Sequence, residues 1–145
     1  MQDRPTALEL LGAVARFLDE EIVPVTEGRR QFLSRVAANV LRLVERELVC
    51  AEEHAQREWQ GLDAILAVEP PPPRSDALRA ALRERNASFV ERIRSSALER
   101  DPELARRVLA HVRQTVGDKL SVTNPAYLEA DARRKAGKQG AASGA

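Results

Sequence analysis

Two histidines, His54 and His111, and a single cysteine, Cys50, supply most of the metal-binding and nucleophilic chemistry open to this chain. His54 and Glu58 stand one helical turn apart and could offer two ligands to a cation, but a catalytic zinc centre takes three from the protein. Neither histidine follows a glutamate by three residues, the spacing that carboxylate-bridged di-iron bundles use. His54 is therefore expected to be a surface histidine, and neither a metal nor a cofactor is expected. Cys50 has no second cysteine with which to form a disulfide or a cysteine-built zinc cage. It falls near the end of an apolar pattern, so it reads as a small buried hydrophobe rather than a reactive thiol. No local signature sets a serine or threonine beside a base, and no glycine-rich phosphate loop or kinase catalytic-loop pattern occurs. Catalysis by this chain alone is not expected.

Asn39 lies within "VAANVL", at the edge of an apolar stripe. A buried amide there needs partners, and the expected role is a structural one, hydrogen bonding to a neighbouring helix and fixing register. Arg79, Arg83, Arg92, Arg94, Arg106, Arg107 and Arg113 could meet phosphates, yet Glu84, Glu91, Glu99 and Glu103 are interspersed among them, the usual pattern of a solvated face. With 23 basic against 22 acidic residues, nothing in the bulk charge attracts nucleic acid or anionic lipid. Aromatic residues make up only 3% of the chain, leaving little to stack on single-stranded bases. Nucleic acid is not an expected partner.

The elements that must hold these residues are helices. Ala, Leu, Arg and Glu dominate, and no stretch sustains the alternation of a half-buried strand. Thr6 and Glu9 have capping-box spacing, after which Leu8, Leu11, Val14, Leu18 and Ile22 recur until Pro24. A second pattern starts after Gly28 and runs through Leu33, Val36, Val40, Leu41, Val44 and Leu48, with Trp59 or beyond as its end and Gly61 as an uncertain boundary. Pro70 to Pro73 form a linker, since proline has no amide donor and fixes its backbone in an extended direction. Ser75 is placed to cap a third helix bearing Leu78, Leu82, Phe89 and Ile93. Asp101 and Pro102 open a fourth, with Leu104, Val108, Val112, Val116 and Leu120 as its stripe, closed by Asn124 and Pro125. The fold class expected is all-α: a small helical bundle of about four main helices, antiparallel neighbours around one core over residues 1–128. Residues 129–145 are rich in small and basic types and read as a disordered tail.

Charges interrupt every apolar segment well short of the roughly 20 residues of a membrane span, so no membrane is expected as a partner. The opening "MQDRPTALELL" lacks the cationic start and apolar run of a secretory signal, which makes the cytoplasm the expected location.

Three stretches, "DRPTALELLGAVARFL", "FLSRVAANVLRLVERE" and "LAHVRQTVGDKLSVTNPAYL", together resemble a bacterial family known as domain of unknown function six-two-eight-five. The resemblance covers Asp3 to about Glu47 and about Leu109 to Leu128. It implies a small companion of aminoglycoside-phosphotransferase-like kinases, needed in the levulinate pathway to phosphorylate the hydroxyl of a 4-hydroxyacyl-CoA thioester, with the kinase supplying the ATP site and catalytic carboxylates. No site residue carries over from the family, and the polar positions within the matching stretches, Arg4, Arg35, Arg46, Lys119, Asn124 and Tyr127, are chosen as candidate partner contacts. The expected function is thus a non-catalytic accessory subunit that binds and supports such a kinase through an apolar helix face rimmed by arginines. The alternative is a homo-oligomeric scaffold in which Leu78, Leu82, Phe89 and Ile93 pair between chains.

Overall fold

In a computed structural model, residues 4–95 and 97–142 are described, the side chains of 137–142 excepted. Among the described residues the chain is helical with no strand. Helix α1 spans Ala7–Phe17 and runs into a π-helical turn at Leu18–Ile22; α2 covers Gly28–Asp63, α3 Ser75–Arg94, α4 Ala97–Arg100, α5 Pro102–Thr123 and α6 Pro125–Ala142. The all-α expectation holds. The chain divides into two compact units, Met1–Ala51 and Glu52–Ala145, with α2 running through both.

The first unit is a helical hairpin. The Thr6 hydroxyl accepts from the Glu9 amide at 3.2 Å and the Glu9 carboxylate accepts from the Thr6 amide at 2.7 Å, so the capping box starts α1 as its spacing predicts. The turn after it is closed by the Thr26 hydroxyl, which donates to the Ile22 carbonyl at 2.7 Å, and by Gly28 at φ +56°, a left-handed conformation that suits glycine. Contacts between the two helices progress in opposite directions along the chain. The Gln31 amide donates to the Val23 carbonyl, Arg42 pairs with Asp19, and Gly12 lies opposite Glu45. The helices are therefore antiparallel.

The second unit holds the core: Ala55, Trp59, Leu62 and Ile65 of α2 and the turn after it, Leu78, Leu82 and Phe89 of α3, and Leu104 and Val108 of α5. Gly61 does not end α2, which continues to Asp63. Pro70 to Pro73 do form the connection, whose backbone is tied down by side chains from the helices on either side of it. The Trp59 indole donates to the Glu69 carbonyl and Arg85 to the Ala67 carbonyl, both at 2.8 Å. Ser75 does not cap α3: it is the first helical residue, and the capping position, Arg74, makes no side-chain cap bond. Asp101 does cap α5, accepting from the amides of Glu103 and Leu104 at 3.0 and 2.9 Å with Pro102 inside the first turn.

Two expectations are corrected. The segment read as a disordered tail from 129 is helical as far as Ala142, residues 143–145 lying outside those described. Alanine-rich sequence with Glu129–Arg133 and Asp131–Lys135 pairs one turn apart outweighs the small-residue composition there. Asn39 is exposed, and the residue of that stretch facing the neighbouring helix is Ala38, fully buried. Packing through alanine lets two helices approach closely and leaves no room for a bridging amide.

Candidate interaction surface

The paired polar groups of the second unit link α2 to α5 and to α3. Asp118, only 8% exposed, receives Arg57 in an ion pair and the Gln114 amide at 3.1 Å, with His54 Nε2 3.7 Å away; Arg57 also pairs with Glu53. One turn of α2 further on, the Asn86 amide donates to Glu58 at 2.8 Å, and the buried Arg85 donates to Asp63 at 2.8 Å while stacking 4.3 Å above the Trp59 ring. These carboxylates and cations neutralise each other within the unit. His54 is thus half-buried beside an aspartate rather than on the open surface, and among the described residues no group of three ligand-type side chains could hold a metal ion.

His111 is buried, its ring edge-on to Phe89 with centroids 5.3 Å apart. Burial lowers its pKa, and the charge of Glu58 raises it less. Gly61 makes room for it, because a Cβ there would stand 2.2 Å from His111 Nδ1. An open cavity of about 410 Å³ lies where α3 ends and α5 begins, lined by Arg92, Ser95, Ala97, Arg100, Asp101 and Leu104. Two of its polar groups have internal work: Asp101 caps α5 and Arg100 donates to the Ser95 carbonyl.

Each unit presents large apolar side chains to solvent. On α5, Leu109, Val112 and Val116 are 49%, 39% and 49% exposed. The sequence assigns Val112 and Val116 to one stripe with Leu104 and Val108, and this is where a strict spacing of four misleads. Each such step advances about 40° beyond a full turn, so after two steps the side chain has left the core face. His111, Asp118 and Val122 take the buried positions instead. Arg106, Arg113 and Lys119 border the exposed strip, Lys119 continuing it one turn past Val116.

Of the polar positions singled out by sequence, the second unit brings three to the end of this strip. Lys119 is exposed; Asn124 is the C-cap of α5, its side-chain oxygen accepting from the Tyr127 amide at 3.3 Å; Tyr127 is 48% exposed, with Arg134 over its ring at 5.7 Å. The other three lie in the first unit. Arg4 is exposed and 3.9 Å from Glu9, Arg35 is exposed, and Arg46 is half-buried. Arg35, Asn39, Arg42 and Arg46 recur at four, three and four on one side of α2, the side of the Asp19–Arg42 pair.

On α1, Leu10, Val14 and Phe17 are exposed, as are Leu33, Val36, Val40, Val44 and Leu48 on α2. Leu78, Leu82 and Phe89, expected to pair between chains in the scaffold alternative, are instead buried in the core of the second unit, and only Ile93 of that set is exposed.

A family described as Domain of unknown function (DUF6285) matches residues 24–127. No curated protein and no solved structure matches the chain.

Proposed function

Given that the chain belongs to this family of domains of unknown function, DUF6285, we propose that it is a non-catalytic accessory subunit that docks onto an aminoglycoside-phosphotransferase-like kinase acting on hydroxyacyl-CoA thioesters. The observation that carries this reading is the strip Leu109, Val112 and Val116 on α5, apolar and exposed, with Arg106, Arg113 and Lys119 along its edges. An apolar centre inside a basic rim is the anatomy of a protein-binding patch, and arginine is among the residues enriched there. The strip lies wholly within the span that the family shares. Lys119, Asn124 and Tyr127 then flank the docked kinase at one end of it. The identity of the partner comes from the sequence resemblance described above. The mutual neutralisation of Asp118, Arg57, Glu53, Asp63 and Arg85 agrees with a supporting role, since these groups are occupied in holding the fold.

Co-expression of the chain with such a kinase tests the proposal. The two should co-purify, and phosphorylation of a hydroxyacyl-CoA should be faster with the companion present than without it. Replacing Val112 and Val116 together by Asp should abolish capture while the circular dichroism of the chain is kept, because neither residue belongs to the buried core. A kinase that is neither captured nor accelerated by the unaltered chain would overturn the reading.

A further inference from the structure

The hairpin of the first unit carries an apolar face larger than that of α5, and part of it, on α1, precedes the span shared with the family. Leu10, Val14 and Phe17 recur at four and three residues, about a third of a turn from the side of α1 that holds the buried Ala15. The stripe Leu33, Val36, Val40, Val44 and Leu48 is centred somewhat more than a third of a turn from the buried Ala38 on α2, in the same rotational sense along the chain, and drifts from nearly opposite Ala38 at Val36 to about a quarter of a turn from it at Leu48. In antiparallel helices, equal offsets of the same sense point to the same side of the pair. The centres of the two stripes therefore lie on one side of the pair, with Val36 and Phe17 at its outer edges, and Asp19, Arg35, Asn39, Arg42 and Arg46 lie on the other.

Between its two helices this unit fully buries only Ala15 and Ala38. Leu11, Leu18, Ile22, Leu41 and Leu43 are only half-buried, and further helices are needed to complete a core around the larger apolar residues. We infer that this face pairs with the same face of a second copy of the chain, two hairpins completing a four-helix bundle.

Area and composition favour this occupant. From their fractional exposures the eight residues present roughly 700 Å² of surface, so symmetric pairing would remove at most roughly 1,400 Å² from water, a limit within the span of about 1,200–2,000 Å² that stable interfaces bury. A second copy is a partner whose surface is as apolar as the face itself. The two-fold arrangement also sets each hairpin's charged side outward, where Arg35 and Arg42 stay hydrated.

Sedimentation equilibrium of the full chain alone should show a monomer–dimer equilibrium, with dimer predominating at high micromolar concentration. Val36→Glu combined with Val40→Glu should leave a helical monomer. If that variant loses its helicity, Val14→Glu, on the other helix of the same face, takes its place. The dimer-breaking variants should still capture the kinase, and the α5 variant that loses the kinase should still dimerise, which keeps the two readings separable. A wild-type monomer at high micromolar concentration would overturn the inference, and so would a dimer that persists in folded variants on both helices.

Discussion

At the scale of single residues, the second unit places its polar groups where their charge state matters to folding. His111 sits against Phe89 in the space left by Gly61, and its imidazole is held below its ordinary pKa chiefly by burial. The unfolded chain therefore binds a proton at His111 more readily than the folded one. Between the lowered folded pKa and the unfolded value of about 6.5, stability must rise with pH. The full contribution is present above that unfolded value and is lost as pH falls through the window. Urea denaturation across this range should show the midpoint climbing with pH. In a His111→Gln variant that still folds, this part of the slope should be missing. Equal slopes in the two proteins would show that His111 takes up its proton as easily folded as unfolded. Asn39 teaches the converse. Its place in "VAANVL" suggests a buried amide, but the neighbouring alanine makes the contact and the amide faces solvent.

At the scale of elements, the helices were legible from caps and breakers. Thr6 with Glu9, Asp101 with Pro102, and Asn124 before Pro125 each mark an end through a local hydrogen bond, which depends on nearby residues alone. Which face of each helix is buried was less legible. The spacing of four in Val36–Val40–Val44–Leu48 and in Leu104–Val108–Val112–Val116 drifts around the helix, and only the neighbouring elements decide where along it the core ends. The proline connection was legible as a break but not as a packed element. Its hold depends on Arg85, which is 22 positions from its carboxylate partner Asp63 and lies on another helix. Arg85→Ala should strip the Ala67 carbonyl of its donor, leave Asp63 with the Glu69 amide but no cation, and uncover the Trp59 ring. A loss of about 3 kcal/mol is expected, the cost of leaving one member of a largely buried pair unpaired. Tryptophan emission should move to the red in the folded variant, since Trp59 is the only tryptophan in the chain. An unshifted spectrum with unchanged stability would mean that the loop keeps its place without the guanidinium.

At the scale of the whole molecule, the uneven distribution of buried apolar residues sets how each unit opens. The second unit buries Trp59, Leu62, Leu78, Leu82, Phe89, Leu104 and Val108 around one centre, whereas the hairpin fully buries only two alanines. Local opening is easiest where few apolar contacts are lost. One helix reports on both units, because α2 runs unbroken from Gly28 to Asp63. In dilute protein, amides of α2 before Ala51 should exchange with deuterium much faster than those around Trp59 and Leu62, although both belong to the same hydrogen-bonded ladder. Raising the protein concentration should slow exchange in α1 and the first half of α2 and leave the second half as it was, since binding of a second copy stabilises only the part it covers. The Val36→Glu, Val40→Glu chain should exchange fast in that region at every concentration. Uniform protection along α2 in dilute protein would mean that the hairpin derives its stability from something other than self-association.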